Sequence, residues 1–184
     1  MATVAIVGDG PAGLSAALFI AKNGHAAVVF GQDQTAMHHA QLYNYLGIEE
    51  VGGTSFQAIA RGQVAAVGAQ LRDEEVIEAT ARDDGGFEVR GTSGSIEADW
   101  LVLAGGKKAQ GLAAAVGAEV IDGRVVVDTE YRTTVDGLYA IGRVARPERS
   151  QAIISAGAGA TAALDILSRE AGRDVHDWDT PPER

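Results

Sequence analysis

A glycine-rich hexapeptide, Gly8-Asp9-Gly10-Pro11-Ala12-Gly13, lies between the β-branched apolar run Thr3 to Val7 and an alanine-rich apolar stretch that ends at Lys22. The first run is too short for a helix and reads as a buried strand; the second has the length and composition of a helix. Asn23-Gly24 closes that helix with residues tolerant of left-handed geometry. His25 to Phe30 then supplies a second buried strand, so the chain up to Phe30 spells a βαβ unit. In this setting each glycine has a mechanical role. Gly8 allows the tight turn, Gly10 lets backbone approach a pyrophosphate, and Gly13 lets the helix pack closely on the strand. The helix N-terminus adds free N–H groups and a positive dipole end. The segment reads as a dinucleotide-binding turn, with a purely structural turn as the competing reading.

The usual partner of such a turn is an acid closing the second strand, where a carboxylate holds the adenosine ribose hydroxyls. Here that position is Gly31, followed by Gln32 and Asp33. Three outcomes are open: Gln32 hydrogen-bonds the ribose, Asp33 reaches back from the loop, or affinity is reduced.

From Gly31 to Gly53 there is no clean periodicity, and a long loop with at most a short helix is expected. A loop of that length in a compact domain usually has a task. Thr54 to Val67 has helical spacing. Val76 to Ala104 holds three strand-like segments, divided at Asp83-Asp84-Gly85-Gly86 and Gly91-Thr92-Ser93-Gly94. They predict a three-stranded antiparallel meander whose last strand, Trp100 to Ala104, runs back into the parallel sheet. A helical patch at Leu112 to Val116 follows, then strands at Arg124 to Asp128 and Leu138 to Ile141. A closing helix is expected over Arg149 to Glu170, with small residues at Ala152, Ser155, Ala156, Gly159 and Ala160 that permit close approach of backbone or ligand. One domain over residues 1–170 and a frayed polar tail over 171–184 complete the expectation.

Composition excludes several functions. The chain has no cysteine, so it carries no disulfide, thiolate metal site or dithiol relay of its own. With a net charge of -10 and no basic patch, nucleic acid is not an expected partner. No apolar run approaches the roughly twenty residues of a membrane span, and no signal peptide is read; a cytoplasmic protein beginning near Met1 is expected. No metal site is expected, since the adjacent His38 and His39 lack a third ligand.

The order of the glycine turn, Asn44-Tyr45-Leu46-Gly47, Gln63 in a helix ending at Gly68-Ala69, the meander, Ala104-Gly105-Gly106, and Thr133-Thr134-Val135-Asp136-Gly137-Leu138-Tyr139-Ala140-Ile141-Gly142 resembles the thioredoxin reductase family of pyridine nucleotide-disulfide oxidoreductases. The similarity runs from Thr3 to about Leu167. It implies an α/β fold: a Rossmann-like FAD-binding domain with a parallel sheet plus a three-stranded antiparallel β-meander. It also implies bound FAD and a homodimer built on the flavin domain. In that family the chain leaves for an NADPH domain at the counterpart of Ala104-Gly105-Gly106 and returns near Val125. The interval here is too short for a domain, and the family's Cys-x-x-Cys is missing. An FAD domain alone is therefore expected, served by an external electron donor, NAD(P)H or a redox protein; reduction of thioredoxin is not carried over.

The cofactor-binding positions implied by the resemblance are Gly8, Gly10, Pro11, Ala12 and Gly13 at the pyrophosphate, Gln32 and Val76 beside the adenosine, Ala104, Gly105 and Gly106 along the groove, and Asn44, Gln151 and Ala152 near the flavin. Gly142-Arg143 stands where the family has Gly-Asp, whose carboxylate contacts the ribityl chain. Two roles are open to Arg143: pairing with the pyrophosphate or occupying the groove. Ser150 is also open as a simple helix N-cap. His38 and His39 fall in the loop expected near the flavin ring, as acid, base or substrate contact, or merely solvated. Trp100 and Trp178 are read as packing residues in core and tail. No side chain is compelling as a catalyst. The function expected is a flavoprotein oxidoreductase, with a non-enzymatic nucleotide-binding or regulatory module as the alternative.

Overall fold

The computed structural model describes residues 1–181. β1 (Thr3–Val7) and β2 (Ala26–Phe30) are buried along almost their whole length, as apolar strands covered on both faces must be. α1 (Pro11–Lys22) connects them. The following loop contains a short 3-10 turn, Ala36–His39, and a small antiparallel pair, β3 (Gln41–Leu42) with β4 (Val51–Gly52). α2 (Gly53–Ala66), β5 (Gln70–Arg72), β6 (Val76–Ala81), β7 (Phe87–Gly91), β8 (Gly94–Ala98) and β9 (Trp100–Leu103) come next. α3 (Lys107–Val116), β10 (Val120–Ile121), β11 (Arg124–Val125), β12 (Leu138–Ala140) and α4 (Ala152–Ala171) complete the chain.

β1 is the centre of a five-stranded parallel sheet ordered β12-β9-β1-β2-β5. Ile6 lies opposite Val29 on one side and Val102 on the other. Alternate residues of β1 serve two cores. Val4 and Ile6 face α1 and α4, packing with Leu14, Ile20 and Ile166. Ala5 and Val7 face the opposite layer, where α3 supplies Ala109 and Ala113 and the antiparallel sheet β6-β7-β8 supplies Phe87 and Val89. The α/β class and the meander are as expected. Between β9 and β12 the chain forms only α3 and the short β10–β11 hairpin, with no second nucleotide-binding domain.

Several boundaries differ from expectation. The third segment of the meander splits at Asp99 into β8, antiparallel to β7, and β9, which joins the parallel sheet. β5 extends the parallel sheet beyond β2, unannounced because an exposed edge strand needs no apolar run. The strand expected over Arg124 to Asp128 is only the second arm of a hairpin turning at Asp122-Gly123, both with positive φ. That dipeptide is a strong hairpin signal. α4 begins at Ala152 rather than Arg149, with Gln151 at its N-cap and no side-chain cap, so Ser150 does not cap it.

The tail is not frayed over its described part. Val175 packs on the core and donates its N–H to Ser168 Oγ at 2.9 Å, and Lys22 pairs with Asp177 at 3.0 Å and Asp179 at 2.5 Å. Pro182 to Arg184, the end of the expected tail, lie outside the described residues. Trp178 is exposed instead of packed, whereas Trp100 packs against Tyr139 with tilted rings 6.1 Å apart and donates to Glu170 at 2.7 Å.

Gly159 explains part of the small-residue pattern of α4. A Cβ there would overlap the Ala12 carbonyl oxygen and approach Ala16 N to 2.9 Å, so α1 and α4 cross backbone against backbone. Gly159→Val is expected to lower stability by about 2 kcal/mol or more through overpacking, read as a lower urea midpoint.

Tyr139 is fully buried beneath α4, and its hydroxyl donates to Asp165 at 2.5 Å. Burial, then the bond to Asp165, pushes the phenol up to about 12. Burial raises the Asp165 carboxyl, but hydrogen bonds from Arg132 and Tyr139 outweigh it and hold the group below its ordinary value of 3.8. The stabilisation from Asp165 is therefore complete above that ordinary value and is lost as pH falls through the lower folded-state value. Asp165→Asn is expected to cost about 1–3 kcal/mol at pH 7 and to flatten the acid limb below about pH 4, measured by urea unfolding across pH.

Candidate functional site

The chain leaves β1 toward β2 on one side, and the later strand β9 lies on the other. A crevice opens at the carboxyl ends of such strands, where the order reverses. Here it is a groove of about 800 Å3, within the range of roughly 300–1,000 Å3 found for ligand pockets.

Glycines shape its floor. Gly8 has φ 113, and a Cβ on it would lie 2.7 Å from the carbonyl carbon of Ala104 and from Gly105 Cα. The turns after β1 and β9 therefore touch through backbone alone. A Cβ on Gly13 would overlap the Gly8 carbonyl oxygen, which fixes the entry of α1 against β1. Gly10 differs from both. Its φ of -77 and ψ of -175 suit any residue, and its missing Cβ would meet only Thr35 Oγ1, at 3.3 Å. Neither conformation nor packing requires glycine there; the surface it leaves bare faces the groove. The N–H groups of Ala12 and Gly13, in the first turn of α1, have no acceptor within the helix. Gly142, at φ 63, crosses this helix end, its Cβ position 3.1 Å from Ala12 Cβ.

The groove extends both ways from this floor. Gln32 and the buried Val76 wall one end, and Leu42, Gln151 and Ala152 wall the other. Of the residues singled out from the sequence, Gly8, Gly10, Pro11, Ala12, Gln32, Val76, Ala104, Gly105, Gly106, Gly142, Arg143, Gln151 and Ala152 line it. Gly13 lies behind the floor. Asn44 stands off the lining and acts through Gln151, donating from Nδ2 to its Oε1 at 3.3 Å.

Arg143 is exposed on the wall, with Nε donating to Ser150 Oγ at 3.3 Å. Other wall charges are tied up within the protein. Lys108 pairs with Glu75 at 3.0 Å, Glu74 accepts from Ser93 N–H at 2.8 Å, and Asp9 pairs with Arg61. Arg143 and Glu148 are the wall charges without an ion-pair partner among the described residues.

His38 has a structural task. Its Nδ1 bonds Thr54 Oγ1 at 3.1 Å and its Nε2 bonds the Asp33 carbonyl at 2.8 Å, pinning the loop to the start of α2. Neither His38 nor His39 lines the groove.

Sequence reasoning missed Asp9. This residue is 6% exposed. Its carbonyl accepts from Gln57 Nε2 at 2.6 Å, and its Oδ2 accepts from Asp33 N–H at 3.0 Å and from Arg61 Nη1. The available signal was an acid inside the glycine turn of a chain whose second strand ends without one.

The family model described as pyridine nucleotide-disulphide oxidoreductase matches residues 50–162. No curated protein matches the chain. Among solved structures, a thioredoxin reductase from Gloeobacter violaceus is similar with a TM-score of 0.86 at 18% identity, over 97% of this chain and 99% of that one. The atypical thioredoxin reductase TRi from Desulfovibrio vulgaris Hildenborough gives 0.85 at 18% identity, over 94% and 99%. A ferredoxin-flavin thioredoxin reductase from Clostridium acetobutylicum gives 0.80 at 19% identity, over 94% and 99%. At such identities the likeness speaks for the fold, while the family model covers more than half of the sequence. The chain belongs to the pyridine nucleotide-disulphide oxidoreductase family, with the flavin-domain fold of a thioredoxin reductase.

Proposed function

We propose that this chain is a flavoprotein oxidoreductase module, a single FAD domain over residues 1–170, that binds FAD noncovalently and relays electrons from an external donor to an acceptor. The observation that carries this reading is the continuity of the groove, from Gln32 and Val76, across the bare backbone at Gly10, to Gln151 at the start of α4. The residues present fit the cofactor. Gly10 exposes backbone where a pyrophosphate would lie, and the α1 N-terminus offers free N–H groups and a positive dipole end. Arg143, held at its Nε by Ser150, lines the same groove without an ion-pair partner among the described residues, and two phosphate charges would favour that cation. Gln151 and Ala152 bring the α4 N-terminus to the other end of the groove, where a helix dipole stabilises negative charge.

Bound there, the flavin supplies the electron-transfer chemistry. The protein's part is to bind it, orient it and wall one side of it from water. With no cysteine, electrons cannot leave through a dithiol of this chain. With only α3 and a hairpin between β9 and β12, the donor is a diffusing nicotinamide or a redox protein. A protein donor is in keeping with the name of the Clostridium structure, a ferredoxin-flavin enzyme. The reading includes a cytoplasmic setting and a homodimer, whose second copy would cover the exposed Tyr43, Leu46 and Ile59.

Gently purified protein is expected to show a flavin absorption spectrum and to release FAD on heating. A colourless protein that takes up no added FAD would overturn the reading and leave a binding or scaffold role. Gly10→Ala should fold normally, since its Cβ meets only Thr35 Oγ1 at 3.3 Å, yet bind FAD at least about tenfold more weakly because the added methyl occupies the pyrophosphate approach. Arg143→Ala should weaken FAD binding by about tenfold at low salt and reduce its salt dependence, measured by flavin fluorescence titration.

A further inference from the structure

Gly31 follows β2 directly, at the position where doubly wound folds place a ribose-binding acid. Its backbone does not need glycine, for its φ is not among the positive values of the chain. Its space does. A Cβ on Gly31 would lie 2.5 Å from both Cβ and Oδ1 of Asp9, and nearer still to the carboxyl carbon. The Asp9 carboxylate therefore fills the volume in which a side chain at position 31 would begin. The two strand ends are locked in this relation, Gly8 N–H donating to the Phe30 carbonyl at 2.8 Å and Gly31 N–H to the Arg72 carbonyl at 3.0 Å.

We propose that Asp9, delivered from the glycine turn after β1, is the residue that reads the adenosine ribose hydroxyls of the cofactor, replacing the strand-end acid displaced from position 31. The proposal rests on the flavin reading above. Asp9 is held for this task from α2, where Gln57 and Arg61, one turn apart, grip its carbonyl and its Oδ2. Asp33 N–H adds a second donor to Oδ2. Oδ1, on the Gly31 side, accepts from no group among the described residues, and Asp9 lines the groove between the glycine floor and Gln32. A fixed acceptor with an unused oxygen at the adenosine end complements a pair of hydroxyl donors. Arg61 and Gln57 are positioning residues; neither lines the groove.

The test compares ADP with 2′,3′-dideoxy-ADP as competitors of FAD on the whole protein, freed of flavin and titrated by fluorescence. A site built to bond a hydroxyl discriminates against the analogue lacking it. Wild type is expected to prefer ADP by about ten- to hundredfold. Asp9→Asn should reduce that preference to within about threefold, because an amide held by Arg61 through its oxygen turns N–H donors toward the ribose. Gly31→Glu alone should unfold at lower urea, and Gly31→Glu with Asp9→Gly should regain both stability and the preference for ADP. The last pair also decides the matter if Asp9→Asn does not fold. Equal binding of ADP and its dideoxy analogue to wild type, or an undiminished preference in Asp9→Asn, overturns the proposal and leaves the flavin reading standing. Failure of wild type to bind both FAD and ADP overturns the flavin reading and this proposal together.

Discussion

The contact on which this architecture depends has no side chains in it. Gly8 at the end of β1 meets Ala104 and Gly105 at the end of β9, and Gly13 on α1 meets the carbonyl of Gly8. This stack of bare backbone brings two strand ends and one helix end to a single point. The sheet order and the groove both follow from it, since β1 must lie between β2 and β9 for the three turns to converge. The α1–α4 crossing at Gly159 repeats the device on the other side of α1, pressing the helix into the sheet from behind. Packing this close leaves backbone N–H groups, rather than flexible side chains, to present a surface to an anion.

Around that stack, side-chain polarity has mostly structural work. The Tyr139–Asp165–Arg132 group secures α4 to the last strand, Glu74 ties the meander to the parallel sheet through Ser93, and His38 fastens the loop to α2. Each satisfies a group that burial or loop geometry would otherwise leave without a partner. The groove is lined by glycines, alanines, neutral polar and apolar side chains and six charged residues, of which only Arg143 and Glu148 lack an ion-pair partner among the described residues. Such a lining suits a protein whose reactive group is borrowed rather than encoded.

How much of this was legible in the sequence depended on how local the cause was. β1, α1 and β2 could be read to within a residue because burial on both faces demands continuous apolar runs, and the glycine spacing has one mechanical meaning between them. The meander was legible from its turns at Asp83-Asp84-Gly85-Gly86 and Gly91 to Gly94. β5 was not, because an exposed edge strand takes its structure from its neighbour β2 and not from its own pattern. Asp9 was only half legible: an acid stood out within the glycine turn, but its partners Gly31, Gln57 and Arg61 are brought beside it by the fold alone. Positions whose job is backbone shape announced themselves, while positions defined by distant partners did not.

The overlap between Asp9 and any side chain at position 31 also limits which substitutions this corner of the fold accepts. A side chain at position 31 and the Asp9 carboxylate are sterically exclusive, so a chain of this fold can carry an acid at one of the two positions but not at both. With Asp9 held beneath Arg61, no single substitution at position 31 places an acid there without displacing the one already in the corner.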